Sequence, residues 1–509
     1  MTRVCLVAMG LPAFVAGRRH AGPGLRSAQF AVALARAGYQ VTLFCVMPEG
    51  QPLPKDLDYA VPFVRERVHC RFVYEKQCRA DGVGAQAASL EATALVGVTA
   101  YASSVALRLD LGVPMWADLF GDLMAEAQAK ASACGDDSCL VHFWSLLSPV
   151  LTHADRFSAV SSAQADALVG QLGLCGRLSA ATSGESMVAV LPCGAEVDAP
   201  RSEEDEGSAD GREGSEEVGL RGRELPADAH ILLWSGGFNT WCDIDTLTKG
   251  FACAAAADPR MHWVVTGGSI PGHEEASYRR FLHSKHLRNC ADRVHCLGWV
   301  DSRLLATYYR EADLGVVIER DLYERRFGSE NRAVHWMAHG LPFVTTALSE
   351  LGDLACENGA AFRVQPGSAK SLSQTLSYCF ADEGRIRSAG VAARRLAEQR
   401  FDYSTTTAPL LEWVADPRRA GDFGRERVLR AGLLSEPETL ADVLEAYLAG
   451  LGPAELGRRS SRWLWRRLRA SLRDRIGLRN SETARTPDAG TPDAGAPDVR
   501  TPDATAPDA

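Results

Sequence analysis

The sequence predicts an α/β protein made of two parallel-sheet halves, and three observations lead there. Short apolar runs alternate with helix-patterned stretches from the first residues onward. The alternation stops in a polar, acidic stretch before the middle of the chain, and it starts again at His230. Consecutive parallel strands need crossover connections, so β-α alternation implies a sheet covered by helices on both faces. At 509 residues the chain exceeds one comfortable core, which makes two folded domains plus accessory segments the expectation.

In the first half, residues 4–8 (VCLVA) read as the opening strand. Arg3 and the apolar run after it imitate a secretory leader, but the run continues directly into a strand–loop–helix pattern, so a cytoplasmic protein is expected. Residues 9–24 are a loop, and residues 25–37 place Ala and Leu at helical spacing. Gly38 suits the left-handed position after that helix, and residues 41–46 form the second strand. Residues 88–108 read as a buried helix, too polar around Tyr101 and its serines to span a bilayer. Strands are expected at 113–118, 157–160 and 187–191, with a long helix starting near Asp122.

Residues 199–226 are acidic, rich in Gly and Ser, and nearly free of bulky apolar side chains. Such a stretch buries too little surface to offset its ordering entropy, so it reads as a flexible linker or a surface insertion. Strands follow at 231–234, 262–266, 294–297, 314–318, 343–346 and 361–364. Helices 372–380, 386–399 and 408–414 lead to a stop at Pro417. The expected domains are therefore residues 1–198, the linker 199–226, residues 227–418, a helical extension 419–480, and a tail 481–509. In the extension, residues 458–479 run from Arg458 to Arg479 and carry nine arginines around a stripe of Trp463, Leu464, Leu468, Leu472 and Ile476. That pattern suits a helix lying on an anionic membrane surface, or on an acidic partner. The tail repeats TPDAG-like units, whose closely spaced prolines forbid helix and sheet, and is expected to be disordered.

Composition narrows the function. Hydrophobic residues at 46% and charged residues at 23% are ordinary for a globular protein, and a net charge of −9 without a basic face on the body argues against nucleic acid as a partner. The fourteen cysteines are scattered with no C-x-x-C pair, as expected for free thiols without a bound metal.

The chemistry concentrates in loops at strand ends. In the first loop, Gly22, Gly24 and Ser27 open a helix after a strand. Small residues there let amide groups approach an anion, and Arg26 adds a guanidinium; the loop is expected to face a phosphate or an acceptor sugar. Asp118 ends a strand and is the first-domain candidate for handling an acceptor hydroxyl, with Asp122 more simply a helix cap. Ser161 reads as a cap as well, and His153 as a weaker contact candidate. In the second half, Ser235-Gly236-Gly237-Phe238-Asn239 lets backbone come close to a ligand. Asp243 or Asp245 then caps a helix, and Trp241 is placed to cover a base or sugar. The densest set is Glu319, Arg320, Glu324, Arg325, Arg326, Ser329, Glu330, Asn331, Arg332 and His335. Carboxylates there suit sugar or ribose hydroxyls, and guanidinium groups bind a diphosphate bidentately. Arg332 and His335 are three apart and share a helix face.

At these residues the chain resembles the family 4-like glycosyltransferases (glycosyl transferases group 1) of the GT-B fold, over about residues 1–415. WSGGFNTWCDIDTL resembles that group's Trp-x-Gly-Gly turn and Asp-headed helix. ERRFGSENRAVHWMAHGLPFVTT resembles its Glu-x-Arg-Phe loop, Arg-bearing helix and Gly-x-Pro-x-Val strand. PMWADLFGDLMAEAQ and HADRFSAVSSAQ resemble first-domain segments. The resemblance implies two Rossmann-like domains facing across a cleft, to which the sequence pattern adds a C-terminal helical extension and disordered tail. It implies transfer of a hexose-like sugar from a nucleoside-diphosphate donor to a glycan or lipid-linked acceptor, with retention, no metal and no further cofactor. Carried over, Gly236 and Gly237 face the diphosphate, Glu324 the ribose or sugar, and Arg332 the phosphates, with Trp241, Arg320 and His335 around the donor. Two features depart from the pattern: the usual Arg and Lys pair after the second domain's first strand is missing, and the second acid of Glu-x7-Glu falls on His335. A binding or scaffold protein without catalysis, or a nucleotide-sugar epimerase, would share the same fold.

Overall fold

Apolar runs of three to eight residues become the strands of two sheets. The computed structural model describes residues 3–13, 22–47, 49, 58–60, 68–197, 219–270 and 275–425, all within one compact unit, Met1–Leu451. Among the described residues, the first sheet contains β1 (Arg3–Met9), β2 (Gln40–Met47), β3 (Asp58–Ala60), β4 (Val68–Tyr74), β5 (Ala94–Val98), β6 (Met115–Asp118), β7 (Arg156–Ala159) and β8 (Val188–Val190). Their order is β3-β4-β2-β1-β5-β6-β7-β8, parallel throughout except for the β3 edge. The second sheet contains β9 (His230–Ser235), β10 (Met261–Thr266), β11 (Val294–Gly298), β12 (Leu314–Val317), β13 (Phe343–Thr345) and β14 (Ala361–Arg363), all parallel in the order β11-β10-β9-β12-β13-β14.

Every residue of β9 and β10 is buried, as helices on both faces of a parallel sheet require. In the second sheet the chain runs outward from β9 to β10 and β11, then returns to the other side of β9 for β12. Strand order therefore reverses between β9 and β12, and a crevice opens at the carboxyl ends of those two strands. The two loops singled out in the sequence are the ones that follow β9 and β12.

The fold departs from the sequence expectations in four places. Residues 94–98 are β5, a central strand between β1 and β6, which separates the end of helix Ala85–Ser89 from helix Ala100–Leu107. A short apolar run buried on all sides has the same period in either state. The long helix from Asp122 breaks at left-handed Gly135 into Leu123–Cys134 and Ser138–His153. Of the acidic stretch 199–226, residues 199–218 lie outside the described residues, but its end is built into the second lobe. Leu220 and Leu225 are buried there, and Glu311 accepts from the Leu220 N–H at 2.5 Å.

The fourth departure moves the domain boundary. Helix Ala408–Ala415 returns to the first lobe, where Leu410 and Val414 are fully buried among β1, β2 and β4 side chains and Trp413 meets Trp116 edge-on at 5.5 Å. Residues 416–425 then strap along that lobe: Asp422 takes the buried Arg177 guanidinium, and Asp155 takes Arg419 and the Ala420 N–H. The basic segment 458–479 and the repeat tail lie outside the described residues. No described helix is long and apolar enough to cross a membrane. All fourteen cysteines are free thiols, most of them buried.

Candidate active site at the edge of the second sheet

The loop after β9 is shaped by close backbone contacts. Gly236 has φ +92°, a left-handed conformation that a side chain would strain, and its N–H donates to Thr266 O at 2.8 Å. A Cβ on Gly237 would lie 2.5 Å from Ile270 Cδ1. Phe238 anchors the loop by stacking on Trp234 at 4.4 Å. Asp243 then caps helix Ile244–Ala257 by accepting from Thr246 N at 3.1 Å, so that helix's N-terminal amides sit at the sheet edge.

The loop after β12 supplies the charges. Glu319 is buried, 3% exposed, and accepts from Arg325 Nη1 at 3.0 Å. Arg325 also grips Glu324, and its guanidinium lies 4.6 Å over the Trp241 ring. Arg320 donates to Thr240 O and so ties this loop to the preceding one. Helix Asn331–Ala338 brings in Arg332, whose Nη2 donates to Gly237 O at 2.8 Å and whose guanidinium sits 4.3 Å over Trp234. His335 follows one turn later, half-buried, its carbonyl taking His339 Nδ1.

Five buried polar atoms converge on this edge without a hydrogen-bonding partner: Asn239 Oδ1, Glu319 Oε2, Arg320 Nε, Glu330 Oε1 and Arg332 Nη1. Folded proteins pair nearly all such atoms, so a cluster of them marks a place completed by something bound or by a proton. Burial disfavours the charge on Arg332, and an anion at Nη1 would relieve that cost. Burial likewise raises Glu324, against the pull of Arg325.

The structure brings Gly236, Gly237, Trp241, Arg320, Glu324, Arg332 and His335 to one sheet edge. Within that set the roles shift. Glu324 faces Arg325 rather than open space, and Trp241 is covered by the Arg325 guanidinium. The signal for Arg325 was already present in the ERR run, but adjacency in sequence does not say which arginine turns inward.

The first-lobe candidates require correction. Asp118 is fully buried, and its carboxylate accepts from Arg26 Nε (3.1 Å), Arg26 Nη2 (2.8 Å), Ser158 Oγ (2.7 Å) and Thr99 N (3.3 Å). Every lone-pair direction is taken, so it does not meet an acceptor hydroxyl. Arg26 spends its remaining donors on Gln29 and the carbonyls of Leu191 and Pro192, and does not face a phosphate. Gly24 is small for packing, since its Cβ would lie 2.2 Å from Leu11 O, and Gly22 begins the helix beside the Phe120 ring. Asp122 and Ser161 are helix caps, and exposed His153 bonds within its own helix.

The first lobe nevertheless reaches this edge. Ser161 Oγ donates to Phe327 O at 2.7 Å, and the Ser162 N–H donates to Glu350 Oε2 at 2.7 Å. The first contact holds the segment carrying Glu324 and Arg325 against the other lobe, and the second holds the helix Glu350–Glu357 there. Among the described residues, no group of three or more His, Cys, Asp or Glu side chains is arranged to hold a metal.

Comparison with known proteins agrees with this geometry. Residues 229–382 match the family model described as Glycosyl transferases group 1. Comparison with curated proteins gives no sequence match. Among solved structures, the chain is similar to a sucrose-phosphate synthase from Thermosynechococcus elongatus, with TM-score 0.61 and 19% identity over 82% of this chain and 98% of that one. It is similar to Anabaena HepE in complex with UDP and glucose, at TM-score 0.53 and 16% identity over 82% and 100%. It is also similar to an α,α-trehalose 6-phosphate synthase from Burkholderia multivorans, at TM-score 0.54 and 13% identity over 82% and 96%. The two sheets, their order and these likenesses make the fold GT-B, with the match to the glycosyl transferases group 1 model confined to residues 229–382 of the second lobe.

Proposed function

We propose that the protein is a glycosyltransferase that moves a hexose-like sugar from a nucleoside-diphosphate sugar to a glycan or lipid-linked acceptor. The observation that carries this is Arg332: braced on Gly237 O and Trp234, it leaves Nη1 buried and unpaired beside a glycine turn; the N-terminus of helix Ile244–Ala257 also lies at this sheet edge. A diphosphate satisfies all three at once. As the bond to the sugar breaks, charge grows on the leaving diphosphate, and fixed guanidinium and amide donors stabilise it without reorganising. No metal is required by that chemistry, and retention of configuration belongs to the same proposal. HepE has been solved with UDP-glucose, which supports a nucleotide-sugar donor for this shape of pocket. The basic segment 458–479 would bring the enzyme to an anionic membrane surface carrying a lipid-linked acceptor.

Full-length protein with UDP or GDP in a thermal-shift assay tests the donor site. One nucleotide should raise the melting temperature, and Arg332→Ala should weaken its binding by about 10- to 100-fold, the weight of one or two charge-assisted hydrogen bonds. If neither nucleotide binds, the donor reading fails. A non-catalytic binding protein is favoured by His335 at the second acidic position and by the missing basic pair. Such a protein binds the nucleotide but never hydrolyses or transfers the sugar. An epimerase would release an isomerised sugar with no acceptor present.

A further inference from the structure

Consecutive serines at the start of one first-lobe helix, Ser162–Leu174, reach two different segments of the second lobe. Ser161 Oγ accepts from Gln164 N at 3.1 Å as the helix cap. It donates to Phe327 O at 2.7 Å, at the end of helix Tyr323–Phe327, which carries Glu324 and Arg325. Glu350 holds the next residue: its Oε2 accepts the Ser162 N–H at 2.7 Å, and its Oε1 accepts Ser162 Oγ at 3.3 Å. Glu350 is itself the first residue of helix Glu350–Glu357. One carboxylate therefore lies between two helix N-termini, and the partial positive charge of both favours it there. Among the described residues, its side-chain hydrogen bonds all cross to the first lobe. We propose that Glu350 is a positioning residue of the donor edge: through its grip on Ser162 and through the adjoining Ser349, the first lobe holds the Arg332 helix in place for an anion.

Each contact between Glu350 and Arg332 is a hydrogen bond or a helix cap. Ser349 caps helix Glu350–Glu357 by accepting from Gly352 N at 3.0 Å, and its hydroxyl donates to Glu330 Oε2. Glu330 is in turn the N-cap residue of helix Asn331–Ala338, where the Ala333 N–H donates to the Glu330 carbonyl at 2.9 Å. Arg332 is the second residue of that helix, with its guanidinium seated on Gly237 O and Trp234. Ser349 and Glu330 are buried, and close packing leaves this part of the route little room to move. Glu350 and Ser162 are exposed, so the link to the first lobe is the weak member. It is open to substitution without disturbing either core, and its loss acts on how firmly Glu330 and Arg332 are held. The consequence for donor affinity rests on the nucleotide-sugar reading, whereas the link between the lobes does not.

Ser162→Pro removes the N–H that Glu350 accepts and spares the helix. The N–H of a first helical residue has no partner within its own helix, and Ser161 already has the extended backbone, φ −144° and ψ 160°, that a residue before proline needs. Glu350→Ala breaks the same contact from the other side, whereas Glu350→Gln keeps a carbonyl oxygen to accept it. In full-length protein without nucleotide, amide hydrogen exchange across residues 331–338 should quicken about three- to tenfold in Ser162→Pro and Glu350→Ala. In Glu350→Gln it should stay within about twofold of wild type. Affinity for UDP or GDP, whichever binds, should fall by the same factor in the two breaking variants. The double variant should lose no more than either alone, as one shared interaction requires. A contact that only stabilises the lobes would lower the melting temperature and leave both readouts unchanged. Unchanged exchange at 331–338, unchanged affinity for a nucleotide that wild type binds, or losses that add in the double variant would overturn the proposal. If no nucleotide binds any form, the donor reading falls, and the exchange rates alone decide the link.

Discussion

Asp118 and Arg332 show how two charged residues in promising patterns acquire opposite roles. Both stand at the carboxyl edge of a parallel sheet, where ligands bind. Asp118 is closed off by Arg26, Ser158 and the Thr99 N–H, so it holds the first sheet's edge together. Arg332 keeps one buried nitrogen unpaired. Removing one partner of a buried ion pair strands the other charge, so Arg26→Met is expected to cost about 3–5 kcal/mol of stability in a denaturant titration. Nucleotide affinity of the fraction that remains folded should be unchanged. A loss of affinity without a loss of stability would return Arg26 to the site.

At the scale of elements, the most informative case is the helix that starts at Gly22. Gly24 reads as a phosphate-cradle glycine from sequence, yet the loop backbone at Leu11 occupies the space its Cβ would need. Gly24→Ala must push the Leu11–Pro12 backbone away, at about 1–3 kcal/mol, visible as a lower melting temperature without a change in nucleotide affinity. The strand Ala94–Val98 was read as part of a helix for a related reason. Central strands of parallel sheets are apolar on both faces and lack the alternation that identifies a half-exposed strand. Strands β9 to β14 were legible because Gly, Asp or Pro punctuates nearly every one of their ends.

At the scale of the molecule, the first lobe is completed by residues from the far end of the chain. Leu410 and Val414 fill its core, and Asp422 neutralises Arg177. Residues 1–198 expressed alone should therefore give an unstable product, prone to proteolysis and without a cooperative melt. Leu410→Ala in the full chain should cost about 2–5 kcal/mol and lower the melting temperature of the first lobe. A stable, sharply melting 1–198 fragment would refute that dependence.

By itself, the sequence determined the two β-α units and the interruption between them. It also located the glycine turn after β9 and the charged loop after β12, because periodicity, caps and turn residues act over a few positions. Only the tertiary structure decided which charges neutralise each other. The pairing of Asp118 with Arg26 and of Arg325 with Glu319 and Glu324 depends on which groups share a buried space. Burial makes an unpaired charge costly, and sequence neighbours do not report burial. The same holds for the return of helix Ala408–Ala415 to the first lobe: its apolar face specifies that it must be covered, and only the assembled sheet specifies by what.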